Sequence, residues 1–244
     1  MAWLKKLFIF GISSFLVGLA ALVGTYWYVS AELPAVEVLK EVKLQTPMKV
    51  YSREGELISQ FGEKRRIPLS LEQIPQQMID AFIAVEDARF YDHPGIDLVG
   101  IFRAISGELT GQNKGGGSTI TMQVARNFFE LTRSRSYIRK VKEIFIALRI
   151  EQILTKDEIL SLYLNKIPLG HRSFGVGAAA QVYYGKSLDD LTLPQIAIIA
   201  GLPKAPSTLN PISRPERAKR RRAVVLGRML TMDFITQQQY EIAK

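Results

Sequence analysis

The chain has 244 residues, with 32 Lys and Arg against 23 Asp and Glu, and a formal net charge of +9. A hydrophobic fraction of 47% is enough for a packed core, which excludes a wholly disordered chain. The absence of cysteine excludes disulfide scaffolds, thiolate zinc sites and thiol nucleophiles. His93 and His171 are the only histidines, which excludes a histidine-rich metal centre.

The first apolar stretch, residues 7–29, runs for 23 residues without a charge. That length predicts a helix that spans a bilayer. Lys5 and Lys6 precede it and aromatic residues 26–28 lie at its far end, which predicts a cytoplasmic N-terminus and an outer position for the rest. A signal peptide cleaved near residues 29–31 is the alternative. The stretch is longer than the core of about 7 to 15 residues that signal peptides have, which favours an uncleaved anchor.

The charge of the outer part predicts a polyanionic partner. With Lys5 and Lys6 set aside, the net charge is +7. Lipid phosphate or pyrophosphate near the membrane surface fits this location, and nucleic acid does not. The densest basic run lies within residues 214–222 and is opposed only by Glu216. We expect this run to form the solvated face of a helix rather than a dedicated site.

The elements predicted after residue 47 are mainly helical. Residues 48–52 and 57–61 flank a polar turn and predict a short β-hairpin. From Ser70 onward the apolar residues recur at helical spacing, and Ser70 with Gln73 predicts a capping box. No alternation of strands and helices occurs, which disfavours a doubly wound nucleotide fold. Further helices are predicted over residues 96–109, 120–129, 136–154, 156–164 and 194–201.

A glycine-rich segment, residues 111–117, precedes Ser118 and Thr119. It resembles a phosphate-binding loop, but Gly117 stands where that motif requires a lysine. The segment instead predicts a loop that leads into a helix capped near Ser118. The free backbone N–H groups at the start of that helix could bind an anion. A loop that binds no ligand is an equally good interpretation.

Two groups of charged residues have the spacing of a catalytic site. Glu86 and Asp87 end an apolar helical segment, where burial could raise the pKa of a carboxylate that acts as a base. Surface charge beside a packed aromatic residue is the alternative interpretation of this first group. On a later predicted helix, Arg139 and Lys140 precede Glu143 by four and three residues and share its face. The alternative interpretation of this second group is a pair of surface ion pairs worth about 0.2–0.5 kcal/mol each.

Five short motifs occur in order along the chain and carry a resemblance. They are Glu86-Asp87-x-x-Phe90-x-x-His93-x-Gly95, Gly116-x-Ser118-Thr119-Ile120-Thr121-x-Gln123, Arg139-Lys140-x-x-Glu143, Tyr163-Leu164-Asn165, and Gly201-Leu202-Pro203-x-Ala205-Pro206 with Asn210-Pro211. Together they resemble the peptidoglycan glycosyltransferase family. These enzymes polymerise lipid II into glycan strands, alone or as the N-terminal half of class A penicillin-binding proteins.

The resemblance implies a mainly α, lysozyme-like glycosyltransferase domain with a small N-terminal β-hairpin and one transmembrane helix. It implies a single-pass protein of the cell inner membrane with a periplasmic catalytic domain. Lipid II, the growing glycan strand, the inner membrane and cell-wall synthesis proteins are the implied partners. The implied order is a cytoplasmic N-terminus (1–6), a transmembrane anchor (7–29), a linker (30–46) and the glycosyltransferase domain (47–244).

The resemblance also implies residue roles. Glu86 is the catalytic base that takes the proton from the 4-hydroxyl of the acceptor sugar, and the donor loses a lipid pyrophosphate whose charge needs cations. Arg139 and Lys140 supply these, and Glu143, the second catalytic residue, orients them or holds a divalent cation, Mg²⁺ or Mn²⁺. The remaining substrate-binding residues implied are Asp87, Phe90, His93, Ser118, Thr119, Gln123, Arg126, Asn127 and Arg135.

The sequence also departs from the family pattern and leaves alternatives open. Met122, Ser161 and Gln195 replace a glutamine and two glutamates that are common in the family, and we expect altered helix contacts there. No Ser-x-x-Lys tetrad occurs, so transpeptidase chemistry is not expected in this chain. A lysozyme-like glycan hydrolase and a non-catalytic, membrane-anchored cell-wall scaffold are the alternative functions.

Overall fold

The computed structural model describes residues 2–30, 33–41, 48–61, 65–110, 116–131 and 137–244. Its described part is mainly helical, which confirms the predicted class and fits a lysozyme-like domain. The helices are α1 (Ala2–Ser30), α2 (Gln76–Glu86), α3 (Leu98–Leu109), α4 (Ile120–Phe128), α5 (Tyr137–Ile153), α6 (Lys156–Lys166), α7 (Val176–Tyr184), α8 (Leu193–Gly201), α9 (Pro215–Thr231) and α10 (Gln237–Ala243). The strands are β1 (Met48–Tyr51), β2 (Leu57–Phe61), β3 (Arg65–Arg66), β4 (Pro168–Gly170) and β5 (Ser173–Phe174).

Helix α1 contains the apolar stretch that the sequence predicted to cross a membrane. The described large side chains of this helix are exposed, including Trp3, Phe10 and Trp27. Within the described ranges, no helix is long and apolar enough to cross a membrane. The transmembrane prediction is therefore not supported by the structure.

The strands form two small sheets. Strands β1 and β2 pair antiparallel, with Met48 opposite Phe61. In the second sheet β5 lies between β3, to which it is parallel, and β4, to which it is antiparallel. The sequence analysis did not predict this second sheet, because strands of two or three residues are too short to show an alternating pattern.

The core lies where α2 packs against α8 and α9, and where α4 packs against α5 and α6. Met78 and Phe82 of α2 are fully buried, which follows from their four-residue spacing on one helix face. The Phe82 ring meets the Tyr163 ring of α6 edge-on, with 5.9 Å between the ring centroids. The C-terminal end of α2 is therefore held from several sides.

The predicted helices over residues 96–109, 120–129, 156–164 and 194–201 correspond to α3, α4, α6 and α8, with ends that differ by one or two residues. Helix α5 corresponds to the predicted helix 136–154, whose first residue lies outside the described ranges. The Ser70 capping box is present and precedes a short 3-10 turn, Leu71–Gln73. The glycine-rich residues 111–115 lie outside the described ranges.

Asn165, near the end of α6, fixes the segment that leads into α2. Its side-chain oxygen accepts the Leu69 N–H at 2.8 Å, and its Nδ2 donates to the carbonyl oxygens of Leu69 at 2.8 Å and Ser161 at 2.9 Å. We expect Asn165→Ala to lower the free energy of unfolding by about 2–3 kcal/mol, because three partly buried hydrogen bonds are lost. Urea unfolding with the exposed Ser207→Ala as control measures this. A loss no larger than that of the control would contradict the assignment.

Candidate active site

A cavity of about 490 Å³ lies beside the C-terminal end of α2, the N-terminal end of α4 and one face of α9. Its walls bring together six residues that the sequence predicted for the site: Glu86, Asp87, Ser118, Thr119, Gln123 and Arg126. Glu86 and Asp87 lie at the C-terminal end of α2, Ser118 and Thr119 directly precede α4, and Gln123 and Arg126 lie on α4. Pro203 of the fifth motif also lines the cavity, so three of the five sequence motifs meet at one cleft.

Glu86 is the last residue of α2 and is partly buried in this cavity. Gln123 Nε2 donates a hydrogen bond to Glu86 Oε2 at 2.9 Å. Burial raises the pKa of Glu86 above its ordinary value, and the negative charge of Asp87 acts in the same direction. The Gln123 hydrogen bond and the positive charges of Arg221 and Arg126 oppose this rise in pKa. A carboxylate with a raised pKa is suited to general acid or base catalysis near neutral pH.

Asp87 is a buried structural link next to Glu86. Its Oδ2 accepts the Ile120 N–H, the first of α4, at 2.9 Å. Its Oδ1 lies 2.9 Å from His93 Nε2, and His93 Nδ1 accepts the Gly95 N–H at 3.2 Å. Because Nδ1 is an acceptor, the ring proton lies on Nε2 and is donated to Asp87. This carboxylate therefore joins the loop after α2 to the start of α4.

Phe90 and His93 pack behind the cavity wall, which Thr119 helps to form. Phe90 is 0% exposed, its ring meets the His93 ring edge-on, and neither residue lines the cavity. Thr119 caps α4 by accepting the Met122 N–H at 3.1 Å, and its hydroxyl donates to the Gly95 carbonyl at 2.6 Å. Phe90 and His93 were predicted to bind substrate, whereas the structure shows them packed within the fold.

The second predicted group forms an ion cluster on α5, in which two half-buried cations face a buried carboxylate. Glu143 is 1% exposed, and its two carboxylate oxygens lie 3.4 Å from Arg139 Nη1 and 3.3 Å from Lys140 Nζ. Lys140 Nζ also donates to Ser118 Oγ at 2.6 Å. Burial lowers the pKa of Lys140, and the charge of Glu143 opposes that effect. Since Ser118 lines the cavity, the cluster reaches the cavity edge, and the alternative of exposed surface pairs is excluded.

Asn127, another predicted substrate-binding residue, lies on α4 and does not line the cavity. Arg135 lies outside the described ranges. The departures from the family pattern have local packing roles. Met122 is buried in the core, and the Gln195 side chain completes a capping box by accepting the Thr192 N–H at 3.0 Å.

The sequence analysis missed basic residues that line the cavity from the C-terminal part of the chain: Lys204, Arg221 and Arg228. Arg221 is half-buried, burial lowers its pKa, and its Nε donates to the Gly201 carbonyl at 3.3 Å. The expectation that the whole basic run is a solvated face is therefore wrong for Arg221. Its spacing carried a signal, because Arg217, Arg221 and Arg228 fall on one helix face.

These basic residues continue into a second cavity of about 920 Å³, which shares Lys204, Arg221 and Arg228 with the first. Arg217 and Arg220 also line it. The two cavities together form a cationic cleft that is suited to phosphate groups.

The donor set at Glu143 does not fit a resident divalent cation. Mg²⁺ and Mn²⁺ prefer several oxygen ligands. Within the described part of the chain, no group of three or more acidic, histidine or cysteine side chains comes together as metal ligands. Glu143 instead faces Arg139 and Lys140, whose positive charges would repel a metal ion.

A mainly helical fold with a carboxylate in a cationic cleft is the arrangement that the sequence resemblance predicted. Residues 54–230 match the family model described as Transglycosylase, and the chain belongs to this family. It is 58% identical over 242 residues to Penicillin-binding protein 1A of Escherichia coli (strain K12), covering 99% of this chain and 28% of that protein.

A second relative and a solved structure also show similarity to Penicillin-binding protein 1A. The chain is 56% identical over 245 residues to Penicillin-binding protein 1A of Vibrio cholerae serotype O1, covering 100% of this chain and 30% of that protein. The crystal structure of Penicillin-Binding Protein 1A from Haemophilus influenzae matches with a TM-score of 0.50 and 40% identity, over 83% of this chain and 20% of that one. The chain thus spans less than a third of the length of these relatives.

The Asp87 link can be tested by Asp87→Asn. An amide has one acceptor oxygen in place of two, so its NH₂ group would face a buried N–H donor from Ile120 or His93. We expect the free energy of unfolding to fall by about 2–3 kcal/mol. Urea unfolding measures this, with the exposed Asp92→Asn as the matched control. Equal stability of the two variants would show that Asp87 is not a structural link.

Proposed function

We propose that the chain is a peptidoglycan glycosyltransferase that polymerises lipid II into glycan strands. Membership of the transglycosylase family supports this function. The observation that carries the proposal is the partly buried Glu86 carboxylate, which faces a cleft lined by Arg126, Lys204 and Arg221. A base and several cations in one cleft are what the transfer of a sugar from a pyrophosphate requires.

In the proposed reaction, Glu86 accepts the proton of the 4-hydroxyl group of the acceptor sugar. The oxygen then attacks the anomeric carbon of the growing chain as the bond from that carbon to the pyrophosphate oxygen breaks. The bonding electrons leave with undecaprenyl pyrophosphate. Direct displacement inverts the α-linked donor to a β-linked product. Gln123 holds the Glu86 carboxylate in place for this step.

The leaving pyrophosphate needs positive charge in the transition state. Arg126 lines the cavity and lies on α4, which also carries Gln123 and packs against α5. Its positive charge lowers the pKa of both Glu86 and Lys140. We propose that Arg126, Arg139 and Lys140 stabilise the leaving group and that Glu143 orients the last two. Asp87, His93, Thr119 and Phe90 then act as supports for these groups.

A lysozyme-like hydrolase is the second candidate, because the raised pKa of Glu86 would also suit a general acid. Hydrolysis has no pyrophosphate to stabilise, however, so the cationic walls of the cleft favour the transferase. A non-catalytic scaffold would need neither the partial burial of Glu86 nor its hydrogen bond to Gln123.

We also propose that the protein works at the outer face of the inner membrane. The lipid-linked substrate lies there, and the exposed apolar side chains of α1, such as Phe10 and Trp27, would associate with the bilayer. The domain bounds 1–6, 7–29, 30–46 and 47–244, the membrane orientation and the cell-wall synthesis partners stay predictions.

The proposed base is tested by Glu86→Gln, which keeps the shape of the side chain but cannot accept the proton. We expect polymerisation of lipid II to fall by at least about 100-fold. Stability at neutral pH should be kept or increased, because a raised pKa means that ionising Glu86 costs free energy in the folded state above that pKa. Polymer analysis and thermal melting measure both effects. Substantial activity in Glu86→Gln would refute the assignment of Glu86 as the base. Shortening of preformed glycan by the wild type would favour the hydrolase.

The proposed cation role is tested by Lys140→Met, alone and with Glu143→Gln. The single variant removes one partner of a buried carboxylate, so both stability and polymerisation should fall. The double variant removes the charges of both Lys140 and Glu143. We expect it to regain most of the stability while polymerisation stays at least about 10-fold below wild type. Recovery of activity together with stability would show that Lys140 is only structural.

A further inference from the structure

The hydroxyl group of Tyr163 has no hydrogen-bond partner among the described residues, although it is buried. Tyr163 lies on α6 and is 1% exposed. Buried polar groups are nearly always hydrogen-bonded, because an unpaired one destabilises the fold. An unpaired buried hydroxyl therefore needs an explanation.

The position of Tyr163 relates it to the proposed base. Its ring packs edge-on against Phe82, which lies one turn before Glu86 on α2. Its own helix, α6, packs against α4, which carries Gln123 and Arg126. The charges of Glu86 and Arg126 both act on the Tyr163 hydroxyl, and burial raises the pKa of this phenol well above its ordinary value. The hydroxyl therefore keeps its proton and can donate it to an anion nearby.

We propose that the Tyr163 hydroxyl donates a hydrogen bond to the ionised Glu86 carboxylate during the reaction and is a positioning residue for this base. This inference rests on the proposed function. Gln123 already donates to Glu86 Oε2, and a carboxylate can accept several hydrogen bonds. A second donor from inside the fold would favour the charged form, which is the form that accepts a proton.

The charges around Glu86 determine how strongly one further hydrogen bond changes the pKa of this carboxylate. Arg126 faces it from α4, Arg221 from α9 and Asp87 from the following loop. The same cavity is also lined by Arg103, Asp97, Lys204 and Arg228. Burial opposes ionisation, so each donor and cation helps to keep Glu86 charged. Removal of one donor should raise the pKa of Glu86.

The test compares Tyr163→Phe with Tyr184→Phe in the full chain. The Tyr184 hydroxyl is also buried without a partner among the described residues, but the charge that acts on it is that of Arg222. Both variants remove one unpaired hydroxyl, so we expect the melting temperature of each to stay equal or rise. We expect only Tyr163→Phe to move the acid limb of the polymerisation rate to higher pH, by about one unit, with KM for lipid II unchanged.

At pH values below the shifted acid limb, the rate of Tyr163→Phe is expected to be about 10-fold lower than that of the wild type. Tyr184→Phe is expected to keep the wild-type pH profile. Identical pH profiles for the two variants would overturn the inference. A Tyr163→Phe variant that melts earlier and loses activity without a shift of the acid limb would also overturn it. If the wild type makes no polymer, the proposed function fails, and carbon-13 titration of the Glu86 carboxyl then tests the inference. A higher pKa in Tyr163→Phe supports it, and an unchanged pKa overturns it.

Discussion

The site depends on the buried carboxylate of Asp87, which joins the end of α2 to the start of α4. It accepts the Ile120 N–H at the N-terminus of α4, where the helix dipole stabilises a negative charge. Gln123 lies one turn further along α4, and the link brings its amide to 2.9 Å from Glu86. The same carboxylate holds His93, so the loop between α2 and α3 is fixed as well. The proposed base is thus positioned by its sequence neighbour.

The second constraint on the site is electrostatic. Partial burial makes the ionised form of Glu86 costly, and Asp87 adds a like charge beside it. Arg126 and Arg221 approach from opposite parts of the chain and reduce that cost. In the proposed reaction these cations have two roles, because they keep the base charged before the transfer and lie near the pyrophosphate that leaves.

The sequence predicted the helices that carry the site and the grouping of Arg139, Lys140 and Glu143 on α5, because local spacing determines both. Arg139, Lys140 and Glu143 share a helix face at any position of that helix in the fold. The depth of each side chain depends on tertiary packing, which local spacing does not contain. Phe90 is therefore buried in the core and does not line the cavity, whereas Arg221 lines the cleft. The role proposed for Tyr163 has the same origin, since the burial of its hydroxyl depends on the packing of α6 against α4 and of the Tyr163 ring against Phe82.

The central claim is that Glu86 and the cations share one cleft, and a carbon-13 titration of the Glu86 carboxyl in the presence and absence of inorganic pyrophosphate tests it most directly. The resonance is assigned by its absence in Glu86→Gln. The account predicts a pKa above the ordinary glutamate value of about 4.3 and a further rise when pyrophosphate binds the cations and offsets their charge. An ordinary pKa that pyrophosphate does not change would contradict it.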